Sequence, residues 1–152
     1  MTWWGRVAAV TSLAVTVLST GATRTAAMAA PANGIVVNLS RQRLYEYHHG
    51  RLTHVLPVST ASGHRYFSKR LDRWVRSTTP RGTFRIRSKT PGWKRSEYGR
   101  LYYPNHYDRA GRAIHGYRDL RPHHSHGCVR IPMRAARAFY RRNPVGTPVY
   151  IE

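Results

Sequence analysis

Gly34-Ile-Val-Val-Asn-Leu39, followed after a short gap by Arg43-Leu-Tyr-Glu-Tyr-His48, is the stretch on which the fold turns. The first run is rich in β-branched residues. In the second, Leu44, Glu46 and His48 alternate with Arg43, Tyr45 and Tyr47, the period of two that a pleated strand imposes. His49-Gly50 is a turn signal. Leu52 to Val58 alternates in the same way, with Pro57 weakening its end because proline has no N–H for a ladder. The spacing predicts paired strands, so the domain opens as a β-meander.

Further along, Ser59 to Pro80 is polar and basic with few aliphatic residues, which predicts a long surface loop. Thr83-Phe-Arg-Ile-Arg87 alternates cleanly, Leu101 to Tyr107 is aromatic-rich and broken by Pro104, and Arg112-Ala-Ile-His115 is a short strand running into Gly116. Pro132 suits a first helical turn, where its missing N–H has no partner to lose. Met133 to Arg142 follows, with Ala136, Phe139 and Tyr140 on one face. Asn143-Pro144 ends that helix, and Gly146 to Ile151 reads as a closing strand. Many short strands and one C-terminal helix predict a mainly β sandwich or open barrel.

In the other direction, Met1 to Arg6 is a positive n-region, Val7 to Leu18 is apolar, and Ala27-Met28-Ala29 places small residues at both cleavage-determining positions. Residues 1–29 are therefore expected to be a signal peptide, cut after Ala29, with residues 30–152 forming one catalytic domain. The apolar run is shorter than the roughly 20 residues that cross a bilayer, so no membrane span is expected after cleavage. Export to the wall, the periplasmic space or the medium follows from this reading.

The chain carries 26 Lys plus Arg against 6 Asp plus Glu, a formal charge of +20, which calls for a polyanionic partner or serves solubility alone. Nucleic acid would be the first thought for a cytosolic protein, and export argues against it. Anionic wall polymers and lipid head groups remain as the polyanions that charge would meet. The single cysteine, Cys128, has no internal disulfide partner and in an exported chain stands as a free, reactive thiol.

Around that thiol lies Ser125-His126-Gly127-Cys128-Val129-Arg130, with Ala113-Ile-His115-Gly116 upstream. A thiolate is the nucleophile in cysteine acyl transfer, and positive charge from His126 and Arg130 would favour it. His115 lies on a separate strand and can face Cys128 across the fold as general base, while His126, two residues away, more naturally flanks it. Backbone N–H groups near Gly127 and Cys128 would serve a developing oxyanion.

The Ser-His-Gly-Cys-Val-Arg run with its upstream His-Gly resembles the signature of the L,D-transpeptidases, the YkuD catalytic domain. The likeness extends over Gly34 to Leu39, Arg43 to Tyr47, Leu56 to Ser59, Thr79 to Phe84 and Gly146 to Val149, nearly the whole chain after residue 30. It implies a β-sandwich and a reaction on peptidoglycan tetrapeptide stems: the thiolate attacks an L-centred diamino acid carbonyl, D-alanine leaves, and an amine of a second stem resolves the thioester. By this match Cys128 is the nucleophile, His115 the base, His126 and Arg130 shape the site, Ser125 and Gly127 set the turn, and Tyr103 lies near substrate. Many members carry Ser or Thr where Gly116 stands, using that residue's carbonyl to orient the base, and Gly116 keeps the carbonyl.

No cofactor and no metal are expected. The rival is zinc, for which His115, His123, His124, His126 and Cys128 offer ligands, although their spacing matches no familiar zinc motif. Within the enzyme class, an L,D-carboxypeptidase would use water instead of an amine. Outside it stands a non-catalytic cationic wall-binding module.

Overall fold

The computed structural model describes residues 30–152; the expected signal peptide and its cleavage site lie outside the described residues. In chain order the elements are β1 (Gly34–Asn38), β2 (Arg43–His48), β3 (Arg51–Pro57), β4 (Arg65–Ser68), β5 (Arg73–Arg76), β6 (Gly82–Arg85), β7 (Ser88–Lys89), β8 (Trp93–Ser96), β9 (Gly99–His106), β10 (Ala113–Tyr117), β11 (Val129–Pro132), α1 (Met133–Arg142) and β12 (Pro148–Ile151). The fold is mainly β with one helix, as the alternation and turn signals predict, and neither large sheet closes on itself.

One sheet has the order β3-β2-β1-β12-β6, the other β11-β10-β9-β7 with β8 also on β9. The expected meander is β1 to β3, joined antiparallel in sequence. β12 returns to lie parallel to β1, with Ile35 opposite Val149 and Val37 opposite Ile151. Ile35, Val37, Leu44 and Val149 from the first sheet meet Ile114, Val129 and Ile131 from the second in a core from which water is excluded. That apolar burial is the main favourable term holding the two sheets together.

Helix α1 begins after Pro132, as expected, and buries Ala136 and Phe139 against β9, β10 and β11. Its C-terminal end is fixed from both sheets. The Lys89 ammonium of β7 donates to the carbonyls of Tyr140 and Asn143 and lies 4.0 Å from the Tyr140 ring centroid, a cation placed where the helix dipole favours one. From β2, the fully buried Glu46 carboxylate accepts from Arg142 at 2.6 and 3.1 Å and from Asn143 Nδ2 at 2.9 Å. This anchoring matters for chemistry because α1 presses directly on the strand that carries His115.

The expected loop from Ser59 to Pro80 is in part a hairpin: β4 and β5 pair antiparallel, with Phe67 opposite Trp74 and Tyr66 opposite Val75. It pairs with no strand of the two large sheets and stands over the end of the second.

Candidate active site

β10 and β11 run side by side in parallel, with Ile114 opposite Val129 and His115 opposite Arg130. Parallel neighbours cannot be joined by a tight turn, so residues 118–128 form a crossover loop that ends on Cys128. His115, at the middle of β10, and Cys128, at the mouth of β11, thereby line one small cavity together with Ser125, His126 and Arg130. On the other edge of β10, Ile114 pairs with Asn105 and Gly116 with Tyr102, so two residues of β9, Tyr103 and Pro104, oppose His115 alone. This bulge interrupts the ladder beside the base.

Residues 59–62 splint the crossover loop. Ser59 and Arg130 exchange backbone hydrogen bonds of 3.0 and 2.9 Å, the Ser125 N–H donates to Thr60 O at 2.9 Å, and the Ser62 N–H donates to Ser125 O at 3.0 Å. Within the turn, the Ser125 hydroxyl donates to Cys128 O at 2.6 Å and accepts from the Gly127 N–H at 3.1 Å. Gly127 has φ 143°, and a Cβ there would lie 3.0 Å from Thr78 O and 3.1 Å from Arg112 Nε, so no other residue fits without displacement. The expected pair of backbone oxyanion donors is thus reduced: the Gly127 N–H is committed to Ser125, while the Cys128 N–H takes no part in the turn.

The tautomer of His115 is fixed by its neighbour. Its Nδ1 lies 3.0 Å from the Gly116 carbonyl, which can only accept, so Nδ1 carries the proton and Nε2 is left as the basic nitrogen. Burial pushes its pKa down to about 4, outweighing the opposite effect of the Gly116 carbonyl and helped by Arg130 and His106. At neutral pH the ring is therefore uncharged and able to take a proton. Gly116 is required for a second reason: a Cβ would lie 2.7 Å from Ala136 Cβ and 3.0 Å from Tyr102 Cδ1, so a Ser or Thr at this position would collide with α1.

Cys128 is partly buried, and desolvation raises its thiol pKa; a backbone hydrogen bond to Ala113 and the charges of Arg112 and Arg130 act in the lowering direction without prevailing. Burial is the largest of these influences, and of the two cations expected to favour a thiolate only Arg130 acts on it. Arg130 lies with its guanidinium 4.1 Å from the Tyr117 ring centroid, and its buried Nη1 has no partner among the described residues. His126 is exposed at the cavity rim, stacked on Tyr98 at 4.9 Å and edge-on to Tyr66 at 4.8 Å. Burial and the charges of Arg130 and His124 lower its pKa.

A larger cleft of about 390 Å³ opens on the other side of Cys128, walled by the β4–β5 hairpin, the β8–β9 turn, Arg112 and His126. Tyr103 lies in neither cavity. Its φ is 49° at the bulge, and its ring makes an edge contact with Tyr140 of α1 at 5.2 Å. Conversely, Tyr66, Tyr98 and Arg112 border Cys128 without having been singled out in the sequence. The alternation of Arg65-Tyr-Phe-Ser68 and Arg73-Trp-Val-Arg76 about a short turn was the signal available for the first of these.

Of the residues the zinc rival would use, His115, His126 and Cys128 line one cavity, but His124 turns elsewhere. His124 faces Asp119 and Arg121 at 3.7 and 3.1 Å, and no group of three or more His, Cys, Asp or Glu side chains suited to a metal ion occurs among the described residues.

Comparison with known proteins agrees with this frame. The family model for the L,D-transpeptidase catalytic domain, YkuD, matches residues 32–151. An L,D-transpeptidase structure from Xylanimonas cellulosilytica superposes with a TM-score of 0.72 at 31% identity, covering 80% of this chain and 62% of the other. One from Stackebrandtia nassauensis gives 0.63 at 21% identity, covering 80% and 57%. L,D-transpeptidase 1 of Mycobacterium tuberculosis gives 0.60 at 19% identity, covering 80% and 61%. The chain thus spans about three-fifths of the length of these structures. No curated protein matches it.

Proposed function

Since the chain belongs to the family of L,D-transpeptidase catalytic domains, we propose that it is an exported cysteine acyl transferase that forms 3-3 type cross-links between peptidoglycan tetrapeptide stems. The observation that supports this most directly is the His115 ring, neutral and held by Gly116 O so that Nε2 is free within the cavity that also holds Cys128.

The chemistry begins with a thiol and a neutral imidazole. As the donor carbonyl approaches Cys128, His115 Nε2 takes the thiol proton and sulfur bonds to the carbonyl carbon, so thiolate forms only when the attack consumes it. The Cys128 N–H and the unpartnered Arg130 Nη1 are the groups available to the negative oxygen. Collapse breaks the bond to D-alanine, whose nitrogen receives the proton from His115, and leaves a Cys128 thioester. An acceptor amine then gives its proton to His115 while attacking the thioester, and the thiol is regenerated. Ser125 and Gly127 hold the turn, Gly116 orients the base, and His126 lines the shared rim of both cavities. Anionic wall polymers are the partners to which the positive surface would adhere.

The test is intact-mass analysis of residues 30–152 with disaccharide-tetrapeptide, Cys128→Ala serving as control. The expected result is a Cys128-dependent adduct that has lost D-alanine, followed by cross-linked dimer. Tripeptide without dimer would assign a carboxypeptidase. Folded protein giving neither adduct nor product would leave the wall-binding module.

A further inference from the structure

The β4–β5 hairpin has two unlike faces. Inward, Tyr66 packs edge-on to His126 and to Tyr98, the latter at 5.1 Å, and Ser68 Oγ is 3.2 Å from the Tyr98 hydroxyl. The Arg70 N–H donates to Glu97 at 3.1 Å, so the hairpin is tied to the β8–β9 turn and walls the cleft at Cys128. Outward, the paired Phe67 and Trp74 meet edge-on at 6.1 Å and are 44% and 59% exposed, and Leu71 at the turn, which also edges the Cys128 cleft, is 42% exposed. Single exposed apolar residues need no explanation, but three on one projecting hairpin do. Arg65 and Arg76 share the outer face, and Lys69, Arg70 and Arg73 stand about the turn, with Arg70 and Arg76 also edging the cleft, against the single carboxylate of Asp72 in the hairpin.

We propose that this outer face docks on an anionic lipid bilayer, with Phe67, Leu71 and Trp74 entering the headgroup region and the flanking cations pairing with lipid phosphates. Charge complementarity requires an anionic occupant and rules against a second copy, which would set one cationic hairpin against another. A soluble polyanion would satisfy the cations and leave the three apolar side chains in water. An anionic bilayer satisfies both, with an aromatic belt at headgroup depth and an attraction that grows with each Lys or Arg near the surface. Docking would hold the mouth of the Cys128 cleft beside the membrane. The proposal does not depend on the acyl-transfer chemistry.

Residues 30–152, which contain every described element and the whole core, suit the test. In that chain Trp93→Phe leaves Trp74 as the only tryptophan. The expected outcome is a blue shift of Trp74 emission with phosphatidylglycerol-containing vesicles and none with pure phosphatidylcholine. In co-sedimentation, Phe67→Ser/Leu71→Ser/Trp74→Ser should weaken binding by about tenfold or more, and Lys69→Gln/Arg70→Gln/Arg73→Gln should weaken it and reduce its salt dependence. Thermal unfolding of each variant reports folding, and the Trp74 shift decides the matter even where a triple variant does not fold. The proposal is overturned by an absent shift, or by triple-serine protein that sediments like wild type. Binding to polyglycerol phosphate that the triple-serine variant retains, without any vesicle response, would assign the face to a soluble polymer instead.

Discussion

His115 is 2% exposed, and with its pKa at about 4 it stays neutral in the folded state over a range where the unfolded ring, at 6.5, becomes charged. Between those two values the unfolded chain binds the extra proton, so stability falls as pH drops from 6.5 toward 4 and levels below it, a loss of roughly 3 kcal/mol. Denaturant melts of wild type and His115→Gln across that window should differ in slope, the variant lacking this component. At Cys128 the raised thiol pKa gives the opposite limb: alkylation by iodoacetamide should be slower than that of free cysteine at neutral pH and should keep rising beyond the ordinary thiol range. Equal rates at neutral pH would show that burial does not control the thiol. Gly116→Ala forces a Cβ to 2.7 Å from Ala136 and should cost about 2 kcal/mol in chemical denaturation, with Ala136→Gly restoring part of it. The Ser125–Arg130 run stood out in the sequence because it is contiguous, and His115 because a His-Gly precedes that run; the fold brings His115, Ser125, His126, Cys128 and Arg130 to one cavity. Tyr103 sits at a bulge with a left-handed backbone, and the alternation rule carries no sign of that.

At the level of elements, α1 is held at its C-terminal end by Glu46 and Lys89, one from each sheet. Arg142→Ala leaves the fully buried Glu46 carboxylate with Asn143 alone and should destabilise the fold by about 3 kcal/mol, read by urea melts. Because α1 presses on β10 through Gly116, the same variant should lower turnover while adding no new contact to Cys128. The strands β2, β3 and β6 and the helix carried their periodicity in the sequence, β1, β10 and β12 their composition, and β9 runs on through Pro104, where the sequence reads a break. The β4–β5 hairpin carried a short alternation that is harder to read, for a physical reason. Its inward face carries Tyr66, Ser68 and Val75 and its outward face Phe67 and Trp74, so apolar residues stand on both faces with arginines flanking them and no polar side marks the strand. A pattern of that kind reads as loop until the tertiary partner, here Tyr98 and His126, is known.

Across the whole molecule the charge of +20 sets how it meets its surroundings. Retention on wall material bearing anionic polymers should drop steeply as salt shortens the screening length from about 10 Å at 0.1 M toward about 3 Å at 1 M, with Cys128→Ala behaving as wild type. Pelleting assays that showed no salt dependence would remove charge as the means of adhesion. The order β3-β2-β1-β12-β6 has another consequence, one of timing. β1 begins at Gly34 and its central neighbour β12 ends at Ile151, so the parallel pairing that closes the first sheet joins nearly opposite ends of the described chain. A nascent chain emerging from the ribosome has no partner for one edge of β1 until residues 148–151 are made, and the core that needs Val149 and Ile151 cannot be completed earlier. High contact order of this kind slows folding, and the first sheet gains its central β1–β12 pairing only after residues 148–151 are made.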